Sequence, residues 1–347
     1  MKISIGTNIK EGPWGGGNLF AINLKNYLEK NGHTVIQNLK DDDIDLILIT
    51  EPRKTSESSS FTHVEVLNYL SYIKNNTLVV HRFNECDERK NTNYVNKYLL
   101  NANKISDHTV FVSKWLQKLY IEQGFDRINS DVIYAGANSA VFNRDKYEYW
   151  NTKNPLKIVT HHWGANWNKG FEYYLLIDKL IDNQKWKNKI EFTYIGNIPK
   201  NISFKNTKII KPLSGSELAY EIKKHDLYLT GSINEPSGNH HIEASQCGLP
   251  LLYINSGGIP EYCNGFGIMF TDKSDLEYKL SEAIKNYKDL SMKMKDYPFN
   301  ADIMSKNFMD LFEFMLENKE KYINERIVKM NTSFISKKIF ELRRMSS

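Results

Sequence analysis

Two glutamates with seven residues between them bracket the segment with the clearest chemical purpose, Asn234-Glu235-Pro236-Ser237-Gly238-Asn239-His240-His241-Ile242-Glu243-Ala244-Ser245-Gln246-Cys247-Gly248-Leu249-Pro250. An apolar strand-like stretch, 227–230, leads into it. A short glycine-containing loop then opens a helix over 240–247. Free N–H groups at such a helix start favour an anion, and the helix dipole adds to the attraction. A diphosphate held near Ser237, Gly238, Asn239 and His240 is the natural guest. Glu235 lies on the loop and Glu243 about one turn into the helix. One carboxylate can therefore reach a sugar on one side of the phosphates and the other a ribose on the far side. A carboxylate suits vicinal hydroxyls because it accepts two charge-assisted hydrogen bonds.

Three further groups of residues fit the same chemistry. Trp167-Asn168-Lys169-Gly170 follows a strand-like stretch at 157–161, and its lysine is a compact point charge for phosphate. His162 and Asn166, just upstream, are candidates to help it. Gly15-Gly16-Gly17 follows the first strand, at 2–7, where Gly16 and Gly17 let the backbone approach a ligand closely. His81-Arg82 closes a strand read at 77–81, and ligands of open α/β sheets bind at strand carboxyl ends. A charged cluster, Arg82, Glu85, Asp87, Glu88 and Arg89, stands just after His81 and is expected to shape the side of a second substrate.

The pattern of these motifs resembles the retaining GT-B glycosyltransferases, in particular glycosyltransferase family four, often called group 1. Glu235 and Glu243 are similar to that family's E-x7-E signature, and Ser256-Gly257-Gly258-Ile259-Pro260-Glu261 to its GG-x-PE loop. The resemblance implies that Glu235 contacts the transferred sugar, Glu243 the ribose and Lys169 the diphosphate of a nucleotide-sugar donor, UDP- or GDP-linked. It places His81 against the donor sugar, and Gly16 and Gly17 on the cleft, where they can touch donor phosphate or acceptor. The family usually carries an arginine about five positions before the lysine. Here His161-His162-Trp163-Gly164 occupies that stretch, and His162 or Asn166 is expected to substitute. The resemblance implies no essential metal and no cofactor beyond the nucleotide sugar.

The elements that must position these residues alternate between strand-like and helix-like patterns along most of the chain, the signature of mostly parallel, doubly wound sheets. In the first half, helices are expected at 19–30, 61–74, 94–103 and 114–123, with strands at 33–37, 46–50, 108–113 and 132–134. The stretch 143–155 is polar and aromatic without apolar periodicity and reads as a linker. Strands then recur at 157–161, 191–196, 227–230 and 250–254. At 347 residues, two domains are expected. The fold class is α/β, a GT-B architecture of two Rossmann-like doubly wound domains facing each other across a cleft. The expected domains are 1–150 on the acceptor side, 151–302 on the donor side, and C-terminal helices at 303–347 packing back on the first domain.

A net charge of +5 is too mild for a nucleic-acid-binding face. No stretch approaches the roughly 20 apolar residues of a membrane span. Cys86, Cys247 and Cys263 show neither metal-ligand spacing nor a disulfide framework, so reduced thiols in a cytoplasm are the expectation. Asp41-Asp42-Asp43-Ile44-Asp45 precedes a strand rather than following one and reads as a solvated loop, not a metal site. The stretch 326–344, with six Lys or Arg among Ile327, Phe334, Ile335, Ile339, Phe340 and Leu342, reads as a packed terminal helix or as a peripheral contact with an anionic membrane. The expected function is sugar transfer to a glycan, lipid-linked or protein acceptor. The rival readings are an inert GT-B-like glycan-binding or scaffold subunit, a sugar-nucleotide epimerase or phosphorylase, and a nicotinamide-dependent oxidoreductase. The last lacks both an acid closing the second strand and a third glycine, Phe20 standing three residues after Gly17.

Overall fold

The structure is a computed structural model. It describes residues 1–10, 12, 15–328, 330 and 333–345, without the side chains of 334, 339 and 342–345. Twelve strands form two six-stranded parallel sheets among the described residues. The first sheet comprises β1 (Lys2–Ile5), β2 (Thr34–Ile36), β3 (Leu46–Ile49), β4 (Leu78–Phe83), β5 (His108–Phe111) and β6 (Ser130–Val132), in the order β2-β1-β3-β4-β5-β6. The second comprises β7 (Leu156–His162), β8 (Ile190–Gly196), β9 (Lys208–Ile210), β10 (Leu227–Thr230), β11 (Leu251–Ile254) and β12 (Gly267–Phe270), in the order β12-β11-β10-β7-β8-β9. Strand order reverses beside β1 in one sheet and beside β7 in the other. Such switch points open a crevice at the strand carboxyl ends. This is an α/β fold of two doubly wound domains.

The central strands β3, β4, β7, β8, β10 and β11 are buried over almost their whole length, as parallel strands covered on both faces by helices must be. The edge strands β9 and β12 went unread in the sequence. They are short, and the three residues of β9 include no buried position. β4 runs two residues further than its sequence pattern suggested, to Phe83. The helix Gly16–Lys30 likewise begins three residues earlier than the apolar spacing indicated, so Gly16 and Gly17 form its first turn.

The chain returns to the first domain near its end. At the crossing, Ala301 N–H donates to the Ala137 carbonyl at 2.8 Å, and a Cβ on Gly136 would lie 2.1 Å from the Asn300 backbone. The helix Ala301–Glu317 is capped by Asn300, whose side chain accepts from Ile303 N–H. It buries Met304, Phe308, Phe312 and Met315 at helical spacing against the helix Gly16–Lys30 and the first sheet. Phe20 and Phe308 meet edge to face, 5.2 Å apart. Beyond it, Arg326 reaches the buried Asp107 with Nε at 2.7 Å and Nη2 at 2.6 Å, and also bonds the carbonyls of Asn75 and Thr77. In the basic tail, the helix Phe334–Met345 rests on the helix His63–Tyr72 through Tyr72 and Phe340. The side chains of Phe334, Ile339, Leu342, Arg343 and Arg344 lie outside the described residues. Among the described residues no helix is long and apolar enough to cross a membrane.

Removing Arg326 strands the Asp107 carboxylate in the protein interior without its counter-charge. Arg326→Ala should therefore cost about 3–5 kcal/mol of folding stability, read as a lower urea midpoint. A change below about 1 kcal/mol would show that the pair does not tie the terminal segment to the first domain.

Candidate active site

The loop after β10 is set by its backbone. Asn234 adopts φ +52°, and its N–H donates to Ser256 Oγ at 2.9 Å. Gly258 N–H donates to the Glu235 carbonyl at 2.8 Å. A side chain on Gly257 would lie 2.5 Å from that same carbonyl oxygen, which explains the paired glycines. Gly238, at φ +80°, then turns the chain into the helix Asn239–Gln246, whose N-terminus carries no side-chain cap. The first turn of this helix therefore presents unpaired amides. The helix Gly16–Lys30 also starts without a side-chain cap, and a Cβ on Gly16 would approach the Asn239 side chain to 3.0 Å. Two uncapped helix starts, one from each domain, converge on one cleft of about 680 Å³.

Glu235 lies in that cleft and is 4% exposed. Lys169 Nζ sits 2.6 Å from its Oε2, and Arg89 Nε 2.9 Å from its Oε1. The second contact is an ion pair without hydrogen-bond alignment. Burial opposes ionisation of Glu235, but the charges of Arg89 and Lys169 prevail and hold its pKa down to about 2. Lys169 belongs to the second domain and Arg89 to the first, on the short helix Asp87–Lys90. Glu85 holds Arg89 Nη1 at 3.3 Å and Lys90 Nζ at 2.6 Å. Asp87 anchors the helix by accepting from the N–H groups of Tyr94, Val95 and Asn96. Asn168 Nδ2 donates to the Arg89 carbonyl, and Asn234 Nδ2 to that of Glu88, so the residues just before Lys169 and Glu235 both grip the first domain.

Glu243 lines the same cleft. Its Oε2 accepts from His161 Nε2 at 2.9 Å, and His161 Nδ1 lies 3.2 Å from the Tyr228 hydroxyl. A carboxylate can only accept, so the proton of this imidazole belongs on Nε2. The other expected donor-side residues, Gly16, Gly17, His162, Asn166, Ser237, Gly238, Asn239 and His240, all line the cleft with Lys169.

Two sequence expectations need correction. His162 does not stand in the free protein as the cation that an arginine would supply. Burial, with the nearby Lys169 charge, drives its pKa well below the ordinary imidazole value, and its Nε2 is 2.6 Å from the Tyr174 hydroxyl. The second positive charge beside Lys169 is Arg89, which sequence reading had placed with the neighbouring substrate. Nothing in the linear spacing ties residue 89 to residue 169; only the facing of the two domains does. His81 is not at the cleft either. It stands inside β4 rather than at its end, fully buried, with Nδ1 3.1 Å from Asn103 Oδ1 and its ring against Phe83. Successive strand residues face opposite ways, so it is Arg82 that reaches the cleft.

Glu261, in the loop resembling GG-x-PE, has a role that its sequence did not disclose. Its carboxylate accepts from the N–H groups of Lys114 and Trp115 at 2.8 and 2.7 Å, capping the first-domain helix Lys114–Glu122 from the second domain. The sequence also did not reveal the apolar end of the cleft, formed by Ile195, Pro212, Leu213 and Leu218 with Gly196. The acidic stretch at 41–45 pairs with Lys2, which meets Asp41 and Asp43 at 2.8 and 2.6 Å. Among the described residues no cluster of three or more His, Cys, Asp or Glu is placed to hold a metal.

Two parallel doubly wound sheets meet across this cleft, and solved structures share the arrangement. A glycosyltransferase from Rickettsia africae superposes with a TM-score of 0.64 at 15% identity, covering 91% of this chain and 99% of its own. The fold is GT-B. Anabaena HepE, solved with UDP and glucose, matches at TM-score 0.62 and 14% identity over 90% of this chain and 99% of its own. The lipopolysaccharide outer core galactosyltransferase WaaB matches at 0.62 and 12%, over 90% and 99%. No curated protein matches the chain by sequence. Residues 197–299 match the family model described as glycosyl transferases group 1. That region of the GT-B chain contains Glu235, Glu243 and the Gly257-Gly258 loop, but not Lys169 or Arg89.

The low pKa of Glu235 makes a signed prediction. A depressed carboxyl contributes stability above its ordinary value of 4.5 and loses it as pH falls through about 2. Folding stability, measured by urea denaturation, should fall in that window in the wild type. The fall should be shallower in Glu235→Gln. Parallel curves would mean that Glu235 is not held ionised by its two cations.

Proposed function

We propose that the protein is a retaining, metal-independent glycosyltransferase of the family-four type. It moves a sugar from a nucleoside-diphosphate sugar to a glycan, lipid-linked or protein acceptor. One observation carries this reading: Glu235, Lys169 and Glu243 converge with an uncapped helix start in a single interdomain cleft of the GT-B fold. The match of residues 197–299 to the group 1 model supports it, and the UDP bound to HepE makes UDP-sugars the first donors to test.

In this reading the diphosphate lies across the amides of Gly238 and Asn239, with Lys169 and Arg89 beside it and Gly16 and Gly17 closing from the first domain. Fixed positive groups aimed at the departing diphosphate stabilise charge as it develops. Glu243, oriented by His161, takes the ribose hydroxyls. The apolar end of the cleft takes the base. Glu235 orients the donor sugar. A cation lies against each of its oxygens, which suits positioning better than nucleophilic attack, and the leaving phosphate then accepts the acceptor's proton. Closure of the two domains keeps water from the donor. The expected setting is the cytoplasm, with the basic tail as a peripheral membrane contact. Arg89, a second cation beside Lys169 in the cleft, counts against the rival reading of an inert subunit.

The test is binding and slow hydrolysis across a panel of UDP-, GDP- and ADP-sugars. Glu243→Ala should weaken the preferred nucleotide roughly tenfold or more, the loss expected when charge-assisted hydrogen bonds are removed. Glu235→Ala should retain nucleotide binding but lower turnover by about a hundredfold or more. If no nucleotide sugar binds, the reading fails; if Glu235→Ala turns over like the wild type, Glu235 leaves the mechanism.

A further inference from the structure

Four cationic side chains among the described residues line the cleft: Arg82, Arg89, Lys90 and Lys169. Three of them are answered by acids, Arg89 by Glu235 and Glu85, Lys90 by Glu85, and Lys169 by Glu235. Arg82 is not. It is 4% exposed, yet its Nε and Nη1 are buried with no hydrogen-bond partner. Its guanidinium stacks 3.9 Å over the Phe20 ring, on the helix whose Leu19, Ile22 and Asn23 line the same cleft. Cation–π contact returns only part of what desolvation removes. Burial pulls its pKa to about 10, and of other groups only the Tyr262 phenol counters this, so the side chain stays charged at neutral pH.

A buried guanidinium without a counter-ion is an expensive feature for a free protein to maintain, and its planar fork matches an oxyanion. No charge of the Glu235 group acts on Arg82, whereas Glu235 acts on both Arg89 and Lys169, and Arg89 acts on Lys169. Arg82 therefore stands apart from the group assigned to the donor diphosphate. It projects from β4 of the first domain into the cleft.

We propose that Arg82 is the anion-binding residue of an acceptor subsite, and that the acceptor carries a phosphate or carboxylate beside the hydroxyl that receives the sugar. This rests on the glycosyltransferase reading, which fixes the donor on the other side of the cleft. The unpaired guanidinium takes the oxyanion through one edge of its N–H fork, and the Phe20 ring holds its plane. Leu19, Ile22 and Asn23 supply the wall for the neighbouring sugar ring.

The experiment measures calorimetric affinity and thermal unfolding for wild type, Arg82→Gln, Arg82→Lys and Lys169→Ala. The probes are UDP, then inorganic phosphate, glucuronate and glucose, each titrated with UDP already saturating. Phosphate or glucuronate, but not glucose, should bind and stabilise the wild type. Arg82→Gln should weaken that anion roughly ten- to hundredfold and leave UDP affinity within about twofold. The free Arg82→Gln protein should melt no lower than the wild type, because an uncompensated buried charge has gone. Lys169→Ala should show the reverse, weaker UDP with the second anion retained. Should Arg82→Gln fail to fold, Arg82→Lys reads the same question through partial retention of the anion response. Equal anion binding in Arg82→Gln overturns the proposal. So does a loss of UDP affinity matching the loss of phosphate, which would give Arg82 to the donor. A wild type that binds phosphate through Arg82 but no UDP would sink the donor assignment alone.

Discussion

The ion triplet of Lys169, Glu235 and Arg89 is the constraint around which the site is organised. One carboxylate from the second domain is held by one cation of its own domain and one from across the cleft. A carboxylate this buried would ordinarily be driven toward its neutral form. Two cations reverse that, and the arrangement works only while the two domains face each other. The charge state of Glu235 is thus a property of the interface between domains, not of its own loop.

Several unrelated details follow from that requirement. The first-domain helix that carries Arg89 is only four residues long, and Asp87 fixes it through three backbone amides. Glu85 shares Arg89 with Glu235 and holds Lys90, which Glu235 does not reach. Asn168 and Asn234, each next to a residue of the acidic loop or the lysine turn, bond carbonyls of that same helix. Gly257 lets its loop press against the Glu235 backbone, and Glu261 from the same loop caps a helix of the opposite domain. The close approach of backbone here and the cross-domain cap there serve one end, a cleft whose polar groups are already in place before any ligand arrives. Such preorganisation is what electrostatic stabilisation of a leaving diphosphate requires.

The return of the chain adds a second tie. Met304, Phe308, Phe312 and Met315 belong to the core of the first domain although they lie beyond the second. Arg326 locks the returning segment to Asp107. The two domains are therefore joined by two neighbouring crossings, near Ala137 and near Asn300, with Gly136 allowing the backbones to touch.

The sequence by itself determined the α/β alternation, the doubly wound class, and the residues of the second domain that face the cleft. These are local matters. Apolar runs of strand length, helix-start chemistry at Gly238 and Asn239, and the spacing of Glu235 and Glu243 are all written within a few turns of chain. What the sequence left undecided is what depends on distance. β9 and β12 escaped because edge strands bury too little to show a pattern. His81 was misplaced because the strand runs on to Phe83, which leaves His81 inside it and fully buried while the next residue, Arg82, faces the cleft. His162 is no cationic substitute for the absent arginine, because burial and the nearby Lys169 charge hold its pKa well below the ordinary imidazole value. Arg89 beside Lys169, Glu261 on a foreign helix and Arg82 without a partner were decided by tertiary structure alone. Charge, pairing and pKa arise between elements that the fold brings together, and no spacing along the chain encodes them.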